Sequence, residues 1–145
     1  MKDHNICGNL ETAEQGSFHK IREGMDELVK YQLLLVEKID KRMGTDQLGV
    51  LVRGSDKERI LLAYELLSCI HNETEEVRDW LPWKSWKSYK DFDLQKVLPE
   101  IKMEIVDLFH FVTELMMCFD MTSEDLAKMY AAKHQENLNR QDRNY

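Results

Sequence analysis

The chain has little that would stiffen, cross-link or embed it. Two prolines and six glycines in 145 residues leave long stretches free of helix breakers. Three cysteines, Cys7, Cys69 and Cys118, are an odd number without C-x-x-C spacing, which suits reduced thiols rather than a disulfide framework. Cys69 and Cys118 fall on apolar stripes and read as core. No apolar run approaches the roughly 18 residues of a membrane span. The opening MKDHNICGNLETAEQG has no apolar leader core, so the expectation is a cytoplasmic protein with no membrane partner. Positive charge is also short: the formal net charge of -7 argues against direct nucleic-acid binding, although local Lys and Arg could still hold a single nucleotide. No stretch alternates as a half-buried strand would, and there is no repeat or low-complexity tract.

What is present is helical periodicity. Hydrophobic content of 43% and charged content of 32% fit one soluble domain with a sizeable core. Residues 1–16 lack periodicity and read as a flexible N-terminal arm; residues 17–145 read as the domain. A first helix is expected from Ser17, as N-cap, to about Met43, with Gly44 at its stop. Its face runs Ile21, Met25, Leu28, Gln32, Leu35 or Val36, and Ile39. Gln32 is the exception, either a satisfied core amide or a reader of a ligand's edge. GTDQLGVLVRG reads as a loop with a short extended piece at Val50 to Val52. Ser55 and Glu58 form a capping box opening a second helix, from Asp56 to Trp80, which Pro82 ends. Pro99 suits the first turn of a third helix reaching about Phe119. Thr122 or Ser123 caps a fourth, beginning near Glu124. The fold is therefore an all-α bundle of four to five helices.

Two of these helices carry acids where a core stripe should be apolar. Leu62, Leu66, Cys69, Glu73, Glu76 and Trp80 recur at steps of four, three, four, three and four. Ile101, Glu104, Leu108, Phe111, Leu115 and Cys118 share one face of the third helix, and Met103, Asp107 and His110 the next. Each pair, Glu73 with Glu76 and Glu104 with Asp107, is three residues apart and projects one way. Two carboxylates at roughly 4 Å repel by about 4 kcal/mol at an effective dielectric of ~20, so they must protonate or find cations. Oxygen-only ligands favour Mg²⁺ or Mn²⁺ over zinc. The competing reading is a solvated acidic face with Lys or Arg partners. Between the acids lies the basic, aromatic WKSWKSYKDF, with Trp83, Lys84, Trp86 and Lys87, which either packs over helix ends or supplies cations to phosphates. The last helix starts apolar with Leu126 and Tyr130, then turns polar with Lys133, Asn137 and Arg140, as a solvated tail or a ligand surface.

In this order the pieces resemble the dimeric, all-α dUTPases and the related bacteriophage dCTP/dUTP pyrophosphatases, within the wider all-α NTP pyrophosphatases. Gln32 matches the first motif. Glu73-x-x-Glu76 followed by Pro82-Trp83-Lys84 and Trp86-Lys87 is similar to the second and third. Glu104-x-x-Asp107 followed by His110-Phe111 looks like the fourth. Tyr130-x-x-Lys133-x-x-x-Asn137-x-x-Arg140-Gln141-x-x-Asn144-Tyr145 resembles the closing motif, nearest to the phage enzymes. The resemblance covers roughly residues 28–145. It departs at Ser85, where one branch has tryptophan, and at Asn144, which replaces a glycine.

The resemblance implies a homodimer that hydrolyses dUTP to dUMP and pyrophosphate, and also dCTP to dCMP. Glu73, Glu76, Glu104 and Asp107 would hold Mg²⁺, with Glu73 orienting and deprotonating the attacking water. Lys84, Lys87, Lys133, Arg140 and Tyr145 would contact phosphates and Asn137 the sugar or phosphate. Trp83 and Trp86 belong to the implied substrate-binding loop. Gln32 would read the pyrimidine edge and Phe111 stack on the ring. Three other readings stand beside it: a broader housecleaning nucleotide pyrophosphatase, a di-iron carboxylate bundle suggested by Asp107-x-x-His110, and a non-catalytic helical interaction module.

Overall fold

The computed structural model describes residues 15–143, with side chains from residue 19 onward. Most of the expected N-terminal arm, Cys7, Asn144 and Tyr145 lie outside the described residues. Five helices follow in order: α1 (Gln15–Met43), α2 (Gln47–Arg53), α3 (Asp56–Asp79), α4 (Leu94–Cys118) and α5 (Ser123–Asp142). No strand occurs among the described residues, so the all-α expectation holds. None of these helices is long and apolar enough to cross a membrane.

Three boundaries differ from the sequence reading. Gln15 and Gly16 are already helical, so Ser17 lies inside α1 and is not its N-cap. The stretch read as a loop with an extended piece is the helix α2. Its own N-cap, Asp46, makes no side-chain cap bond. Asp40, near the end of α1, does that work: its carboxylate accepts from the backbone N–H groups of Gln47 (2.9 Å) and Leu48 (2.8 Å) and from the Thr45 hydroxyl (2.5 Å). Burial alone would raise the Asp40 carboxyl, but the Thr45, Leu48 and Gln47 donors together hold it below its ordinary value. Finally, α4 begins at Leu94, capped by Asp93, so Pro99 lies inside the helix and forgoes one backbone bond there.

The capping predictions are met at α3 and α5. Ser55 and Glu58 exchange both bonds of a capping box, and Thr122 does the same with Asp125. Gly44 supplies the left-handed residue that closes α1, at φ +69°.

The chain divides into two compact units, Gln32–Phe119 and the remainder up to Tyr31 and from Asp120, with the boundary inside α1. In Gln32–Phe119, α3 lies along α4 and α2 touches both. The core joins Val36 of α1, Leu51 of α2, Leu62, Ala63 and Leu66 of α3, and Cys118 of α4. Leu48, Val50, Phe111, Leu115 and Met117 pack against it. Burying each such aliphatic side chain contributes about 1.5–3 kcal/mol. In the other unit, Ser123, Ala127 and Ala132 form the buried stripe of α5.

Candidate active site

Along α3 the stripe that begins in the core runs out toward solvent. Leu62 and Leu66 are buried, Cys69 and Glu73 half-buried, and Glu76 and Trp80 exposed. The pairing of α3 with α4 brings the acids of the two helices together. Glu73, Glu76 and Glu104 each offer an oxygen, and those atoms all lie within 4.8 Å of one another. Asp107 is not part of that group, yet it lies close enough to perturb Glu73 more than Glu104 does.

The electrostatics of this cluster are one-sided. Desolvation raises the Glu73 carboxyl above its ordinary value, and Glu76, Asp107 and Glu104 each push it further. Two neutral side-chain donors reach the cluster: Asn72 Nδ2 donates to Glu76 Oε1 at 2.6 Å, and Trp80 Nε1 to Glu104 Oε1 at 3.3 Å. An all-oxygen set whose charged neighbours, Glu76, Asp107 and Glu104, all raise Glu73 suits a hard divalent cation. Arg78, one turn beyond, pairs instead with Glu75.

The connection from α3 to α4 builds a cationic edge on an aromatic base. Trp83 donates from Nε1 to Asp79 at 3.2 Å, fixing its ring against the end of α3. Arg78 lies 4.3 Å and the Lys84 ammonium 4.8 Å from that ring's centroid, within cation–π range. Trp86 meets Trp83 edge-on, with centroids 6.1 Å apart, and is itself 74% exposed. The Lys84 N–H donates to the Tyr89 hydroxyl at 3.1 Å, and the Lys87 N–H to the Lys84 carbonyl at 3.0 Å. The loop is thus internally ordered, with the Lys87 side chain exposed.

Gln32 lies elsewhere in the same unit, in the core at 3% exposure. Its Nε2 donates to Glu114 Oε2 at 2.8 Å, and its Oε1 lies 2.7 Å from His110 Nδ1. Gln47 Nε2 donates to the other oxygen of Glu114. Burial raises the Glu114 carboxyl, while the Gln32 and Gln47 amides pull it back. Phe111 is half-buried against the core. Lys133 and Asn137 are exposed on α5, and Arg140, half-buried there, donates to Glu136 at 3.3 Å. These three belong to the other compact unit.

Glu114, Gln47, Asn72 and Trp80 were not singled out from the sequence as site residues. Glu114 carried a signal nonetheless: it lies seven residues beyond Asp107, on the same face, as the lone charge in VTELMMC.

With this geometry in view, the comparison with known families is decisive. The sequence model of a family described as dUTPase matches residues 24–121. The chain belongs to the dUTPase family. The match takes in Gln32, the four acids, the Trp83 to Lys87 loop and Phe111, and ends before α5. Two relatives, the dCTP pyrophosphatases of Enterobacteria phage T4 and Enterobacteria phage LZ5, are each 44% identical to the chain over 46 residues. That stretch is 32% of this chain and 27% of each relative. No solved structure matches the chain significantly. Within the dUTPase family, an acid cluster between two helices beside a basic, aromatic connection is an arrangement suited to phosphate chemistry.

Proposed function

We propose that the protein hydrolyses deoxypyrimidine nucleoside triphosphates to the monophosphate and pyrophosphate, acting on dUTP and also on dCTP, with Mg²⁺ or Mn²⁺ held by Glu73, Glu76, Glu104 and Asp107. The observation that carries the reading is the convergence of Glu73, Glu76 and Glu104 within 4.8 Å, inside the stretch that matches the dUTPase family. The phage relatives' name, dCTP pyrophosphatase, supports including dCTP.

The bound cation would supply charge neutralisation on the phosphate oxygens and a lowered pKa for water. The side chains would do the rest. Glu73, half-buried, with its carboxyl raised above its ordinary value by desolvation and its acidic neighbours, would be the group that takes the water's proton. Asn72 and Trp80 hold the Glu76 and Glu104 carboxylates by neutral N–H groups that do not compete as charges for the cation. Lys84 and Lys87 would meet the phosphate oxygens, and Phe111 would offer a ring face to the base. Lys133, Asn137 and Arg140 belong to the other compact unit and Tyr145 lies outside the described residues, so their phosphate and sugar contacts stay what the family resemblance implies.

A second copy of the chain would cover exposed apolar rows. Ile105, Phe109 and Val112 fall at steps of four and three on α4, and Ile60, Tyr64 and Leu67 do so on α3; all are exposed. The direct test is pyrophosphate release from dUTP and dCTP, side by side with Mg²⁺ and an EDTA control. Release from both is expected, release from dUTP alone would narrow the substrate to uracil, and release from neither overturns the proposal.

A further inference from the structure

A buried glutamate demands a reason. Glu114 is 3% exposed, in an apolar stretch of α4. Removing a carboxylate from water is costly, and an apolar residue of similar size would tie α4 to its neighbours as well or better. What an apolar residue could not do is dictate the direction of hydrogen bonds.

The direction follows from donor and acceptor counts. An ionised carboxylate only accepts, and both Glu114 oxygens face amide nitrogens, Nε2 of Gln32 and Nε2 of Gln47. Gln32 is then turned with its nitrogen to Glu114 and its oxygen to His110 Nδ1, 2.7 Å away. An acceptor facing Nδ1 requires the proton there, so the neutral ring carries its lone pair on Nε2. His110 is half-buried, three residues beyond Asp107 on α4 and next to Phe111. At 1.5 Å per residue it sits about 4.5 Å along the helix from Asp107 and about 9 Å from Glu104, on the side of Phe111.

We propose that Glu114 is a positioning residue: with Gln47 it holds the Gln32 amide in one orientation, and through it sets His110 to present Nε2 as an acceptor toward an N–H donor on the edge of a pyrimidine base. The proposal rests on the nucleotide-hydrolysing reading of the site. Uracil offers such a donor at N3 and cytosine at its 4-amino group. Gln32, satisfied inside the core, acts behind His110.

The test has a spectroscopic arm independent of turnover. ¹⁵N-edited imidazole spectra of the full chain at neutral pH, with His110 assigned by its loss in His110→Gln, report which ring nitrogen is protonated. The expected result is an Nδ1–H ring in the parent and a shift toward Nε2–H in the isosteric Glu114→Gln. An Nε2–H ring in the parent overturns the proposal, whatever the enzyme does. The kinetic arm compares KM for dUTP and dCTP. Glu114→Gln is expected to raise KM for both substrates about tenfold, with kcat and calorimetric Mn²⁺ affinity changing no more than about twofold. KM values left unchanged, or kcat and Mn²⁺ affinity falling as KM rises, overturn the positioning role. An Nδ1–H parent that hydrolyses neither nucleotide would support the hydrogen-bond chain and strike instead the reading of the activity.

Discussion

Glu73 concentrates the tension of the site in one carboxyl. Its folded-state pKa is raised above the ordinary 4.5, first by desolvation and then by Glu76, Asp107 and Glu104. A raised carboxyl favours the protonated folded state, so the stability it contributes is full below 4.5 and lost as pH rises through the folded value. Glu114 adds the same slope by burial. Glu73→Gln should therefore melt higher than the parent at pH 7 in EDTA, with the gap closing toward pH 4.5, while hydrolysis falls by about 10²-fold or more. A thermal melt series in EDTA at several pH values checks the first half, and the pyrophosphate assay the second. Cys118 gives a second residue-scale prediction. Burial pushes its thiol up to about 11 and leaves it 2% exposed, so iodoacetamide at pH 8 should spare it in the native protein and label it after denaturation, as read by mass spectrometry. Gln32 and the acids were legible in the sequence because each interrupts an apolar stripe. The partners of Gln32 were not, since His110 and Glu114 lie 78 and 82 residues away and no local pattern reports so distant a contact.

At the scale of elements, α2 shows why a short helix escapes a sequence reading. QLGVLVR spans only seven residues, with a glycine and two valines that favour extended structure, and its cap lies on the preceding helix. Asp40 bridges the two by accepting from the first N–H groups of α2 while its carboxyl is held low. A lowered carboxyl contributes stability above its ordinary 3.8 that is lost as pH falls through the folded value. Asp40→Ala is expected to cost about 1–2 kcal/mol in urea unfolding with an unchanged slope, and to remove part of the acid sensitivity near that pH. The long helices were legible because capping boxes and stripes agree: Ser55 with Glu58 opens α3 where the apolar period begins. Pro99 misled because proline favours a first turn, whereas the Asp93 cap starts α4 earlier.

At the scale of the whole molecule, the all-α class followed from periodicity alone, whereas the meeting of α3 with α4 depends on packing that no single stripe specifies. The apolar rows on these helices predict a dimer by sedimentation at micromolar concentration. Phe109→Glu, at an exposed position, should shift it toward monomer without loss of helical circular dichroism. The acid cluster bears on encounter as well as on chemistry. Glu76, Asp107 and Glu104 all push on Glu73 as negative charges, and Asn72 and Trp80 meet Glu76 and Glu104 with neutral donors. A bare triphosphate approaching such a surface meets repulsion that salt only partly screens. Catalysis in this protein would then have a compulsory order, with the cation entering before the nucleotide or already riding on it. Calorimetry with a non-hydrolysable dUTP analogue should accordingly register little heat in EDTA and a clear binding isotherm once Mg²⁺ is supplied.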